Sequence, residues 1–157
     1  PETSMKKIAL SLILILSTII VPLSAQTRPS GRERQVWMKE MQQYKTDFIA
    51  KKLVLTEEQK AKFLPLYTTM DEEIRKAQGE AEKLYRQTLK KDAKATDLEY
   101  EKAAEAVYEL KGRENEIEMK YFKDFKQILT PRQLFQLKDA ERDFTRELMK
   151  QHRRHRK

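Results

Sequence analysis

The sequence predicts an all-α fold, four long helices arranged as two helix–LTxxQ–helix halves. Three observations carry that expectation. Helix breakers are scarce, with 5 prolines and 3 glycines in 157 residues. Beyond residue 32 the apolar residues recur at spacings of three and four, which is the α-helical period. No stretch alternates apolar and polar with period two, so no sheet is expected.

The N-terminal segment is set apart by composition. Met5-Lys6-Lys7 is followed by an uncharged apolar run from Ile8 to Val21, then by Pro22 and Leu23-Ser24-Ala25 ahead of Gln26. An apolar run of roughly 7–15 residues between a cationic flank and small residues is a secretory signal, whereas a spanning helix needs about 20. Residues 1–25 are therefore expected to be a cleavable signal peptide. Pro1–Ser4, upstream of Met5, are read as a scar or a misplaced start. Residues 26–31 are expected to be a disordered leader, residues 32–149 a single helical domain, and residues 150–157 a basic tail.

Each helix has its own signature. Helix 1 is expected from Arg32 to Lys52, with Trp37, Met41, Tyr44 and Phe48 at i, i+4, i+7 and i+11 on one stripe. Leu53-Val54-Leu55 connects it to Thr56-Glu57-Glu58-Gln59, where Thr56 is a good N-cap and Gln59 completes a capping box. Helix 2 then carries Phe63, Leu66, Met70, Ile74, Ala77, Ala81, Leu84 and Thr88 to about Leu89. Pro65 removes the N–H that would bond the carbonyl of Ala61, so a kink is expected there. Thr96-Asp97-Leu98-Glu99 caps helix 3, whose stripe is Ala103, Val107, Leu110, Ile117, Tyr121, Phe125 and Ile128. Leu129-Thr130-Pro131-Arg132-Gln133 starts helix 4 with a third box and a proline at the first helical position. Leu134, Leu137, Phe144 and Leu148 follow on its apolar side.

The charge balance narrows the partners. The formal net charge is +8, and Lys150, Arg153, Arg154, Arg156 and Lys157 crowd the end of the chain with no acid among them. A basic chain ordinarily raises nucleic acid as a partner. An exported one meets anionic lipid, polysaccharide and unfolded polypeptide instead, so no nucleic acid is expected. The tail admits two readings, a hook for an anionic membrane surface or lipopolysaccharide, or disordered ballast.

The residue inventory points away from an enzyme and from any cofactor. There is no cysteine, the two histidines are His152 and His155, and beyond the signal segment serine occurs at Ser30 alone. Ser–His and Cys–His nucleophiles therefore lack members. The helices carry no Glu-x-x-His pair of the kind that builds a metal centre in a bundle. His152 and His155 could share a helical face, but a zinc site wants three or four ligands and the neighbours here are cationic, which leaves them weak metal candidates. Trp37, Met38, Met41, Tyr44 and Phe48 admit two readings. Helical spacing suits core packing, while methionine with aromatics suits an adaptable surface for unfolded chains, with Met38 off the stripe and facing outward.

The motifs Leu55-Thr56-Glu57-Glu58-Gln59 and Leu129-Thr130-Pro131-Arg132-Gln133 resemble the signature of the Spy/CpxP family. The resemblance covers the whole architecture, from the signal peptide to two motifs placed alike in two halves. It implies an elongated, cradle-like four-helix protein forming an antiparallel homodimer in the periplasm. It further implies an ATP-independent chaperone that binds unfolded or partly folded client proteins under envelope stress. Other branches of the family act as stress-signalling adaptors on a sensor kinase or anti-sigma periplasmic domain, or respond to metal. The motif residues Leu55, Thr56, Gln59, Leu129, Thr130 and Gln133 themselves read as structural, because capping explains their type and spacing.

Overall fold

A computed structural model describes residues 30–154, apart from the side chains of His152 and Arg154. The expected signal peptide, most of the expected leader, and the tail from His155 onward lie outside the described residues.

Among the described residues four helices and one 3-10 turn follow in order: α1 (Gly31–Lys52), α2 (Glu57–Lys91), the turn Asp92–Lys94, α3 (Asp97–Ile128) and α4 (Pro131–Arg154). Among the described residues there is no strand, and no helix is long and apolar enough to cross a membrane. The chain divides into two units, Pro1–Trp37 and Met38–Lys157, with the boundary inside α1. Of the first unit, residues 30–37 are described, and every one is exposed. The packing that follows belongs to the second.

The helix starts obey local chemistry. Thr56, Thr96 and Thr130 each accept the backbone N–H three residues on, at 3.2, 3.3 and 3.2 Å. Gln59, Glu99 and Gln133 reach back to the N–H groups of the caps at 3.1, 2.9 and 3.0 Å. Each box satisfies two donors that a helix start otherwise leaves open. A fourth box was not anticipated: the Glu33 N–H donates to Ser30 Oγ and the Ser30 N–H donates to Glu33 Oε2, at 3.2 and 2.6 Å. It starts α1 at Gly31 and corrects the expected leader at its C-terminal end. The helical run of α2 is unbroken across Pro65, whose carbonyl accepts from Thr69 Oγ1.

Helix pairing follows the internal repeat. α2 and α3 run antiparallel from the Phe63–Phe125 ring contact, 4.8 Å between centroids, to the Lys91–Glu99 ion pair. α2 and α4 run parallel in one register, with Gln59 bonded to Gln133 and the Tyr67 hydroxyl to Glu141, both 74 residues apart. That separation is the spacing of the two motifs, so the register of α4 on α2 is the register of the repeat. α1 lies antiparallel to α4, through Lys52–Asp143 at 3.2 Å and Tyr44–Gln151 at 3.1 Å.

The core gathers where these four helices meet. Tyr67, Phe63, Phe125 and Ile49 are its largest fully buried side chains, joined by Leu53, Leu55, Leu129 and Leu137. Burying one such side chain contributes about 1.5–3 kcal/mol. Further along, α2 and α3 bury only small residues, Ala77, Ala81, Thr88 and Ala103, because just two helices meet there.

Three of the expected stripes need correction. In α1 the buried face is Thr46, Ile49 and Ala50, not the aromatic stripe. Ile49 is the large side chain of that seam, and Tyr44 and Phe48 lean on Phe144 of α4 beside it. In α2 the stripe omits Tyr67, which is wholly buried, while Leu66, Ile74 and Leu84 are half-buried. In α3 Val107 is exposed, lying where only α2 is available to cover it. At the other end, α4 continues as helix across Lys150 to Arg154, so the expected domain boundary at residue 149 falls inside a helix.

Candidate binding surface

The two LTxxQ motifs meet at one end of the four helices. Leu55 and Leu129 are buried, and each anchors its cap against the core. Gln59 Nε2 donates to Gln133 Oε1 at 2.8 Å, and Gln133 Nε2 donates back to Gln59 Oε1 at 3.1 Å. Gln59 Nε2 also donates to the Ile128 carbonyl and Gln133 Nε2 to the Leu53 carbonyl, both at 3.1 Å. Each amide thus caps its own helix, pairs with its counterpart and closes the C-terminal end of the other half's helix. With these bonds made, the motif presents closed amides and no reactive group.

The apolar residues singled out on α1 do not share one surface. Trp37 is 59% exposed in the first unit. In the second, Met38 is 44% and Tyr44 38% exposed, and Met41 and Phe48 are half-buried. The rings of Tyr44 and Phe48 both lean on Phe144 of α4, with centroids 5.5 and 5.6 Å away. Phe144 thus packs against two aromatic rings of α1.

Between the four helices runs a groove of about 420 Å³. Met41, Met70, Ile74 and Phe144 give it an apolar floor, and the Lys45–Asp71 ion pair, 2.6 Å long, crosses one wall. Glu114, Glu118 and Glu141 line the opposite side. Gln42 stands at its edge with both amide atoms buried and without a hydrogen-bond partner among the described residues. A second hollow of about 250 Å³ lies between α3 and α4, bordered by Met119, Phe122, Phe125, Leu137 and Lys138. Met119 is 52% and Phe122 38% exposed. Sequence reasoning missed this hollow and the groove. Helical spacing from Tyr108 through Met119 to Phe122 marked an apolar stripe on α3, but it competed with the core stripe on the same helix.

Charged pairs stud the rims. Glu73 accepts from the Tyr121 hydroxyl and from Lys120, which holds its carboxyl below the usual range. Burial first, and then the charge of Glu141, push the Tyr67 phenol well above its ordinary range, so it stays a donor to Glu141. The side chain of His152 and all of His155 lie outside the described residues.

Residues 25–137 match the family described as Domain of unknown function (DUF4890). The chain belongs to the DUF4890 family. The DUF4890 match takes in both LTxxQ motifs and all of α1, α2 and α3, and it ends at Leu137, the seventh residue of α4. No curated protein and no solved structure matches the chain.

Proposed function

We propose that this DUF4890 protein is an ATP-independent chaperone of the Spy/CpxP kind, exported to the periplasm, where it holds unfolded or partly folded clients as a homodimer. One observation carries the reading: large adaptable apolar side chains stand exposed on α1, with Met38 at 44% and Tyr44 at 38%, beside a groove floored by Met41 and Met70. Soluble chains ordinarily scatter single apolar residues on their surface. Methionine and tyrosine set along one helix beside an open groove instead make a surface that can repack around varied partners. Without residues 1–25, which carry Glu2, Lys6 and Lys7, a net charge of +7 would draw acidic chains toward it before apolar contact begins.

The test is suppression of client aggregation without nucleotide at near-equal ratio, for wild type and for Met38→Ser/Tyr44→Ser. Protection by the wild type that falls severalfold in the variant, at unchanged helicity, is expected. Absence of protection across several clients would sink the reading. Capture of one defined sensor domain, with no effect on generic clients, would instead support a stress-signalling adaptor.

A further inference from the structure

The outward face of α4 has an organisation that neither the core nor the proposed client surface uses. Phe135, Arg142, Arg146, Met149 and Arg153 recur at i, i+7, i+11, i+14 and i+18, a single helical stripe about 27 Å long at 1.5 Å per residue. All five are exposed, Phe135 at 80% and Met149 at 59%. Lys150 borders the stripe and is exposed as well. Asp139 and Asp143 each pair with one arginine, at 3.3 Å to Arg142 and 3.3 Å to Arg146. The charge is therefore graded. The first half of the stripe is largely balanced, and Glu147 is the last acid in the sequence. Lys150 and Arg153 have no carboxylate partner among the described residues.

We propose that the C-terminal half of this α4 face docks on an anionic lipid bilayer, with Arg146, Lys150 and Arg153 on headgroup phosphates and Met149 entering between them. The argument is charge complementarity joined to an apolar side chain. Cations alone would suit any polyanion, free or membrane-bound. A large exposed thioether set among those cations gains only where hydrocarbon lies just beneath the phosphates, as at a bilayer surface. The helix continues to Arg154, so backbone geometry holds these side chains on one side. The proposal does not rest on the chaperone reading, and a chain without client protection would still bind vesicles.

The experiment is co-sedimentation of the purified chain with vesicles of phosphatidylglycerol in phosphatidylcholine, against phosphatidylcholine alone. Binding to the anionic vesicles that is lost at high salt is expected, since screening shrinks the Debye length to about 3 Å at 1 M. Lys150→Ala/Arg153→Ala should weaken binding roughly 25-fold, about fivefold per cation. Met149→Ser should weaken it severalfold without changing the salt dependence. Helicity measured on each variant separates loss of docking from loss of fold. Equal binding to neutral vesicles, undiminished binding of the double variant, or displacement by inorganic polyphosphate with no effect of Met149→Ser would each overturn the proposal.

Discussion

Gln59 and Gln133, 74 residues apart, exchange two amide hydrogen bonds of 2.8 and 3.1 Å where the two halves of the chain meet. Each amide also serves a helix start in its own half and a helix end in the other. A motif that reads locally as a cap is thereby also the clasp between the repeats. Replacing either glutamine with alanine removes a cap partner, both amide–amide bonds and the bond to one helix-end carbonyl, while the other amide keeps its own two backbone bonds. We expect a loss of about 2 kcal/mol for Gln59→Ala or Gln133→Ala, from a cap worth ~1 kcal/mol and further hydrogen bonds worth about 0.5–1.5 kcal/mol each. The double variant should cost less than the two losses added, because the amide–amide bonds are lost only once. Urea denaturation of the full cycle measures this, and strict additivity would count against the clasp.

Val54 offers a gain. The Leu55 N–H bonds the Ala50 carbonyl and the Val54 N–H bonds the Lys51 carbonyl, at 3.0 and 3.2 Å, which closes α1 in a Schellman motif. The left-handed position in that motif belongs to Val54, at φ 51 with its side chain 81% exposed. A β-branched residue there carries strain of roughly 1–2 kcal/mol, and the entropy cost of glycine is about 0.5–1 kcal/mol. Val54→Gly should therefore raise stability by about 0.5–1 kcal/mol, while Val54→Ala, which keeps its Cβ, should gain less. A lower denaturation midpoint for the glycine variant would contradict the strain.

Gln42 offers another. Its Nε2 and Oε1 are buried and bonded to nothing among the described residues, though Met41, Met70 and Phe144 stand nearby around the groove. An unsatisfied buried polar group costs about 1–3 kcal/mol, so Gln42→Leu should stabilise the chain by about 1 kcal/mol or more. The midpoint of thermal unfolding reports it. Destabilisation would mean that the amide has a partner in solution.

The pH dependence should be two-sided. Glu73 is held below the ordinary value of 4.5 by the Tyr121 hydroxyl and Lys120, and Glu99 by Lys91 and the Thr96 N–H. In the unfolded chain such carboxylates take protons near 4.5, while in the folded chain they resist. Their contribution is complete above that pH and is lost as the pH falls through the lowered folded values. Tyr67, raised by burial, and Tyr121, raised by its bond to Glu73, keep their protons where an unfolded tyrosine loses them near 10.0. Stability should thus hold through neutrality and decline as the pH climbs past that value. Denaturation midpoints across about pH 3 to 11 check both limbs. Glu73→Gln should shrink the acid limb, and an unchanged one would show that other groups set it.

The helices and their boundaries follow from local chemistry. Capping chemistry is local: a threonine and a glutamine or glutamate three residues on are enough to start a helix, so Thr56, Thr96 and Thr130 were legible. The Ser30–Glu33 box had the same signature, masked by its position in a segment taken for a leader. The candidate surface was less legible, because a helical stripe says that a face is apolar without saying what covers it. Tyr44 and Phe48 share a stripe with Trp37, yet the core took Ile49 and Ala50, and both rings lean on Phe144 at its side. Val107 continues its stripe and is exposed, because only α2 is there to meet it. Long-range placement joined Gln59 to Gln133, buried Tyr67 against Glu141 and left Gln42 without a partner among the described residues. Such long-range pairings depend on how whole helices are placed, a balance of packing around one core that residues near in sequence do not encode.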